Sequence, residues 1–123
     1  MGSATMTECV FEWSKMATDA PMPLLERRRV IGEKVMISHV LLRKGCDVPT
    51  HAHENEQMTC LLSGALKFGL GERGSPEFRE VTVKAGQVIH LRSNLPHTAL
   101  ALEDTLVLDV FAPPSATTGI DRR

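Results

Sequence analysis

Five histidines are the residues best equipped for chemistry, and two of them form the pair His51-Ala52-His53. On an extended chain, side chains two apart share a face, with Cα atoms about 6.5 to 7 Å apart, so both imidazoles can converge on one ion. Gln57 keeps the same parity four residues on, and its amide oxygen can add a ligand where the next strand begins. Imidazole suits zinc, copper, iron and nickel, whereas an amide oxygen is a harder and weaker donor. None of these groups carries negative charge. A divalent ion held by them would keep its full charge, act as a strong Lewis acid and favour an anionic substrate group in its open positions.

A second candidate is Asp109, inside the apolar run from Leu106 to Phe111. Strand parity puts Thr105, Val107, Asp109 and Phe111 on one face, and a carboxylate facing an apolar interior needs a compensating partner. Either an arginine at the sheet edge supplies it, or Asp109 is a general acid/base with a shifted pKa. Arg92 could reach a substrate carboxylate bidentately. The cluster Arg27-Arg28-Arg29 could grip a phosphate or uronate, although such a cluster more commonly protects an edge strand from aggregation. His39 and His90 read as strand-surface or subunit-contact residues, and Cys46 and Cys60 as inert buried thiols.

These residues must be positioned by strands. Eight short runs rich in β-formers are separated by Gly, Pro or charge: 28–31, 35–42, 58–62, 66–70, 78–83, 88–91, 98–102 and 106–111. Gly32-Glu33-Lys34 reads as the turn of a first hairpin, Ser63-Gly64-Ala65 as that of a second, and 69–76 as a wide hairpin loop. No run keeps a helical i, i+3, i+4, i+7 stripe, and no repeat of 20 to 50 residues is visible, so the chain is all-β and neither propeller nor solenoid. A sandwich, barrel or jelly roll remains, and this number of short strands fits a closed one. Residues 1–25 read as an arm broken by Pro21 and Pro23, 26–114 as the barrel and 115–123 as a tail.

At 123 residues the chain is one domain, able to bury roughly two-thirds of its unfolded surface without staples. A formal net charge of -1, from 14 basic and 15 acidic residues, gives no field for nucleic acid or an anionic membrane, which leaves a small molecule or another protein as partner. Three cysteines without C-x-x-C spacing indicate neither a disulfide framework nor a zinc ribbon. With no basic, apolar leader and no run near the ~20 apolar residues of a membrane helix, the reading is a soluble, cytoplasmic protein.

The spacing Gly45, five residues, His51-Ala52-His53, three residues, Gln57, six residues, Gly64 resembles the first motif of the cupins, with Gln57 in place of the usual glutamate. Gly86 and His97, eleven positions on, resemble the second, with Arg92 and Asn94 where proline and glycine are usual. The resemblance implies an RmlC-like double-stranded β-helix, or jelly-roll barrel, holding one divalent ion (Ni, Zn, Fe, Mn or Cu) on His51, His53, Gln57 and His97. Residues 85–114 are further similar to the small bacterial cupins typified by KdgF, which act in pectin and alginate breakdown. That likeness implies a pocket lined by Asp109 and Phe111, and a 4,5-unsaturated uronate converted to its linear keto form. KdgF-type enzymes follow Pro-Pro with an arginine, where this chain has Ser115.

Two other functions fit the same ligand set: an oxygen-dependent dioxygenase, and a non-catalytic module that captures a sugar or acid at the metal. The short arm suggests a homodimer, with strand exchange around Arg28 to Ile31 as one route.

Overall fold

The computed structural model describes residues 9–117. After a 3-10 turn at Trp13–Lys15, ten strands follow: β1 (Asp19–Met22), β2 (Leu25–Ile31), β3 (Met36–Leu42), β4 (Asp47–His51), β5 (Glu56–Ser63), β6 (Ala65–Leu70), β7 (Arg79–Lys84), β8 (Val88–Leu91), β9 (His97–Ala101) and β10 (Thr105–Ala112). They form a six-stranded sheet in the order β1-β2-β3-β10-β5-β8 and a four-stranded sheet in the order β4-β9-β6-β7. All pairings are antiparallel. This is the all-β jelly roll, two sheets enclosing one core, and no helix among the described residues is long and apolar enough to cross a membrane.

Strand parity builds the core. On β3, Met36, Ser38, Val40 and Leu42 face inward, and the burial alternates residue by residue. Leu61, Leu66, Phe68, Leu91 and Val107 meet them from the other strands, all no more than 3 % exposed. Complete burial of a side chain of this size is worth about 1.5–3 kcal/mol.

Three expectations change. Asp19–Met22, assigned above to the arm, is a strand of the first sheet. Pro21 is tolerated there because β1 lies at a sheet edge, and Asp19 is tied to Arg27 of β2 by a two-pronged ion pair, 3.0 Å at each prong. β4 was not expected as a strand because Pro49 interrupts it, yet it too is an edge.

Ser63-Gly64-Ala65 is not a hairpin turn. β5 and β6 belong to different sheets, and this corner carries the chain between them. Gly64 has φ +86°, and a Cβ there would lie 2.3 Å from Thr105 Oγ1 and 2.5 Å from the Asp104 carbonyl oxygen, so only glycine fits.

The described part of the arm folds back on the outer face of the first sheet. Trp13 stacks on His39 with centroids 5.1 Å apart, and Arg28 Nε donates to the Met16 carbonyl at 3.3 Å. β1 pairs with β2 from Leu25 to Arg27.

Candidate metal centre

The last residue of β4, His51, is the register partner of the first residue of β9, His97. On the opposite sheet, Gln57 of β5 lies opposite Phe111 of β10, and Thr59 lies opposite Asp109. All six line one cavity, and the His53 ring meets the His51 and His97 rings beside it from the loop after β4. That loop is clamped to the turn before β9: Asn94 N–H donates to the His53 carbonyl at 2.8 Å, and Ser93 Oγ to the Glu54 carbonyl at 2.6 Å. Asn94 has φ +64°, a left-handed conformation that asparagine tolerates better than most side chains, so the turn survives without the usual glycine.

The three histidine rings are oriented alike. Nδ1 of His51, His53 and His97 contacts the carbonyl two residues away (Pro49, Asn55 and Leu95) at 2.9, 3.0 and 2.8 Å. A carbonyl only accepts, so each Nδ1 carries the proton and each Nε2 a lone pair. The three side chains each offer a ligand atom within 4.8 Å of the others. Burial, with His51 as the next cause, lowers the His97 pKa to about 4 and keeps that ring neutral at physiological pH.

Among the described residues, His97 Nε2 is a buried polar atom with no hydrogen-bond partner. Such an orphan ordinarily costs about 1–3 kcal/mol. Gln57 Oε1 faces His53 Nε2 at 3.0 Å, so two lone pairs oppose each other. Neutral donors converging in this way, one of them orphaned, fit a divalent cation. His51, His53 and His97 could hold it, with Gln57 Oε1 as a fourth donor.

Beside this group, Gln57 Nε2 donates to Thr59 Oγ1 at 2.8 Å and to Asp109 Oδ1 at 3.3 Å, and Thr59 Oγ1 donates to Asp109 Oδ1 at 2.5 Å. The compensating partners of Asp109 are thus a hydroxyl and an amide, not an edge arginine. Burial pushes the Asp109 pKa up to about 6, against the opposing pull of the hydrogen bonds from Thr59 and Gln57. Phe111, 5 % exposed, closes the wall with its ring 5.7 Å from that of His53, edge on.

The structure does not bring Arg92 to this cavity. Leu91 takes the inward position, wholly buried, and Arg92 lies exposed at a separate outer groove with His90, Glu72, Glu77 and Arg79. His90 is paired with Glu56 at 2.6 Å on the outer face. Cys46 is buried with its thiol pKa raised by burial, and neither it nor Cys60 lines the cavity.

The cation that does line the cavity is Arg27, 4 % exposed, which sequence reasoning left inside a charge cluster. Its parity with buried Leu25 was the available signal. Thr59 was likewise missed, although it shares the parity of Gln57. Ser115 Oγ bonds locally to the Thr117 carbonyl at 2.6 Å, and the adjacent Ala116 carbonyl accepts from Arg29 at 2.9 Å.

The cupin-domain family model matches residues 38–111, which take in every one of the histidines and Asp109, and the chain belongs to the cupins. Its structure is similar to KdgF from Halomonas sp., with a TM-score of 0.76 and 25 % identity over 89 % of this chain and 97 % of that one. An RmlC-like cupin from Shewanella frigidimarina matches with TM-score 0.78 and 16 % identity, covering 89 % of this chain and 95 % of that one. Oxalate decarboxylase of Bacillus subtilis, a protein with Mn(II) centres, matches with TM-score 0.78 and 20 % identity over 94 % of this chain and 32 % of the enzyme. No curated protein matches the sequence.

Proposed function

We propose that this cupin is a metal-dependent enzyme that isomerises a small acidic sugar derivative, a 4,5-unsaturated uronate, to its linear keto form. One observation carries the reading: a titratable carboxyl, Asp109, shares a cavity with His51, Gln57 and His97 and accepts a hydrogen bond from Gln57, beside the converging histidines His51, His53 and His97. The bound metal would supply Lewis acidity at a carboxylate, keto or enol oxygen of the substrate. Likeness to KdgF at 25 % identity supports the choice of substrate. The neutral donor set, which would leave a bound ion its full charge, supports an anionic one.

The reaction neither gains nor loses atoms. The anomeric hydroxyl gives up its proton as the ring C–O bond breaks, leaving an aldehyde at C1 and an enolate at C5. Carbon C4 then takes a proton and C5 becomes the ketone. Asp109, with its pKa near 6, is poised to carry a proton in both directions. Thr59 and Gln57 hold its Oδ1, and Phe111 excludes water from that wall.

Asp109→Asn tests this. It should retain the metal while turnover, followed by loss of the conjugated double bond's ultraviolet absorbance, falls about 10²–10⁴-fold. Unchanged turnover would remove Asp109 from the mechanism. Activity that survives strict anaerobiosis separates this chemistry from a dioxygenase.

The protein is further proposed to act as a homodimer through the outer face of the six-stranded sheet. Met58, Leu62 and Val88 are about half exposed there, at 47, 48 and 59 %.

A further inference from the structure

A carboxylate ligand needs no orienting, because its two oxygens are alike. An amide has one donor end and one acceptor end, and it ligates a metal only when the oxygen points inward. Replacing the usual glutamate by Gln57 therefore creates a problem of orientation, and we infer that Thr59 is the positioning residue that solves it. This inference rests on the proposed role of Gln57 as a ligand.

Thr59 is 1 % exposed and two residues from Gln57 on the same strand face. Its single hydroxyl proton goes to Asp109 Oδ1 at 2.5 Å, which leaves only lone pairs toward Gln57. The amide must then present N–H to Thr59, as it does at 2.8 Å, and the same nitrogen reaches Asp109 at 3.3 Å. The oxygen is left facing His53 Nε2 at 3.0 Å. Turned over, the amide would set its oxygen against the Thr59 lone pairs and a carboxylate oxygen, and its N–H against the lone pair a metal needs. The hydroxyl thus polarises the chain in one direction, and a methyl group in its place removes that direction without changing the shape of the residue.

The test is titration of chelator-treated protein with Co2+, read by its visible absorption and by competition with a chelator of known affinity. Wild type, Gln57→Ala, Thr59→Val and Thr59→Ser are compared. Loss of an orienting partner should weaken Co2+ binding roughly 10- to 100-fold in Thr59→Val. Thr59→Ser, which keeps the hydroxyl, should restore both affinity and spectrum. A mere packing role would instead spare Thr59→Val and disturb Thr59→Ser, which loses a methyl group. Gln57→Ala separates the two layers of the argument. If it binds Co2+ as wild type does, Gln57 is no ligand and the underlying reading fails. If it binds weakly while Thr59→Val matches wild type, Thr59 does not position the amide and this inference alone is overturned.

Discussion

Strand β10 has two faces with opposite chemistry. Inward it presents Thr105, Val107, Asp109 and Phe111; outward, Leu106, Leu108 and Val110. The outward row continues across the sheet, because Leu108 lies level with Cys60 and Cys60 with Val88, while Val110 lies level with Met58 and Ile37. A barrel on its own would place hydroxyls and charge outside and aliphatics inside. Here polar side chains line part of the inner wall while an aliphatic row runs along the outer face, so burial inside serves a site, and the outer row is the surface proposed above to meet a second copy.

The inner face gives the largest expected effect. In the metal-free protein, the Asp109 pKa of about 6 stands above its ordinary 3.8, so between those values the folded state binds more protons than the unfolded state. Its contribution to stability therefore rises as pH falls through 6 and is a penalty at neutral pH. His97 works in the opposite direction. Its pKa of about 4 is below the ordinary 6.5, so the unfolded state binds more protons and stability is lost as pH falls from about 6.5 to 4.

The two slopes oppose each other between about pH 4 and 6. Asp109→Asn should leave the His97 slope unopposed in that window. At pH 7 it should raise the stability of the chelator-treated protein by on the order of 2 kcal/mol. Urea unfolding at pH 4.5 and 7 checks this, and an unchanged difference between the two pH values would mean that Asp109 is ionised in the folded protein throughout.

Leu108→Asp probes the outer face. A charge in the middle of the aliphatic row should weaken self-association by at least about tenfold, or roughly 1.4 kcal/mol, as measured by sedimentation equilibrium. Its metal content should stay at wild-type level, because the neighbouring inward residues, Val107 and Asp109, are untouched. A dimer that survives would place the interface elsewhere, with the edge of β2 beyond Arg27 as the next surface to test.

The two faces were unequally legible in the sequence. Period-two parity was enough to put Asp109 and Phe111 inside, and the glycine and histidine spacings marked His51, His53, Gln57 and His97 as one constellation. Parity fails where strands are short and proline-bearing, which is why β1 and β4 were not seen. It also says nothing about which sheet a strand joins, so the Gly64 corner read as a hairpin. Partners across strands were the other blind spot. That Asp109 would meet Thr59 depends on β5 and β10 being adjacent in register, a non-local fact that no local pattern contains.

The smallest expected effect concerns two arginines that the sequence could not rank. Arg92 follows the wholly buried Leu91 and was the more suggestive cation because it precedes the turn to His97. Alternation then sends it outward, to a groove shared with His90 and Arg79, where solvent screens its charge. Arg27 was masked by its neighbours in an arginine run, yet it is held inside by Asp19 and lines the cavity. Arg92→Ala should accordingly change kcat and KM for a uronate less than about twofold, within the ±0.5 kcal/mol of ordinary surface substitutions. A larger rise in KM would mean that the turn before β9 closes over the ligand and brings Arg92 with it, making the mouth of the barrel, rather than its wall, the place where the carboxylate is read.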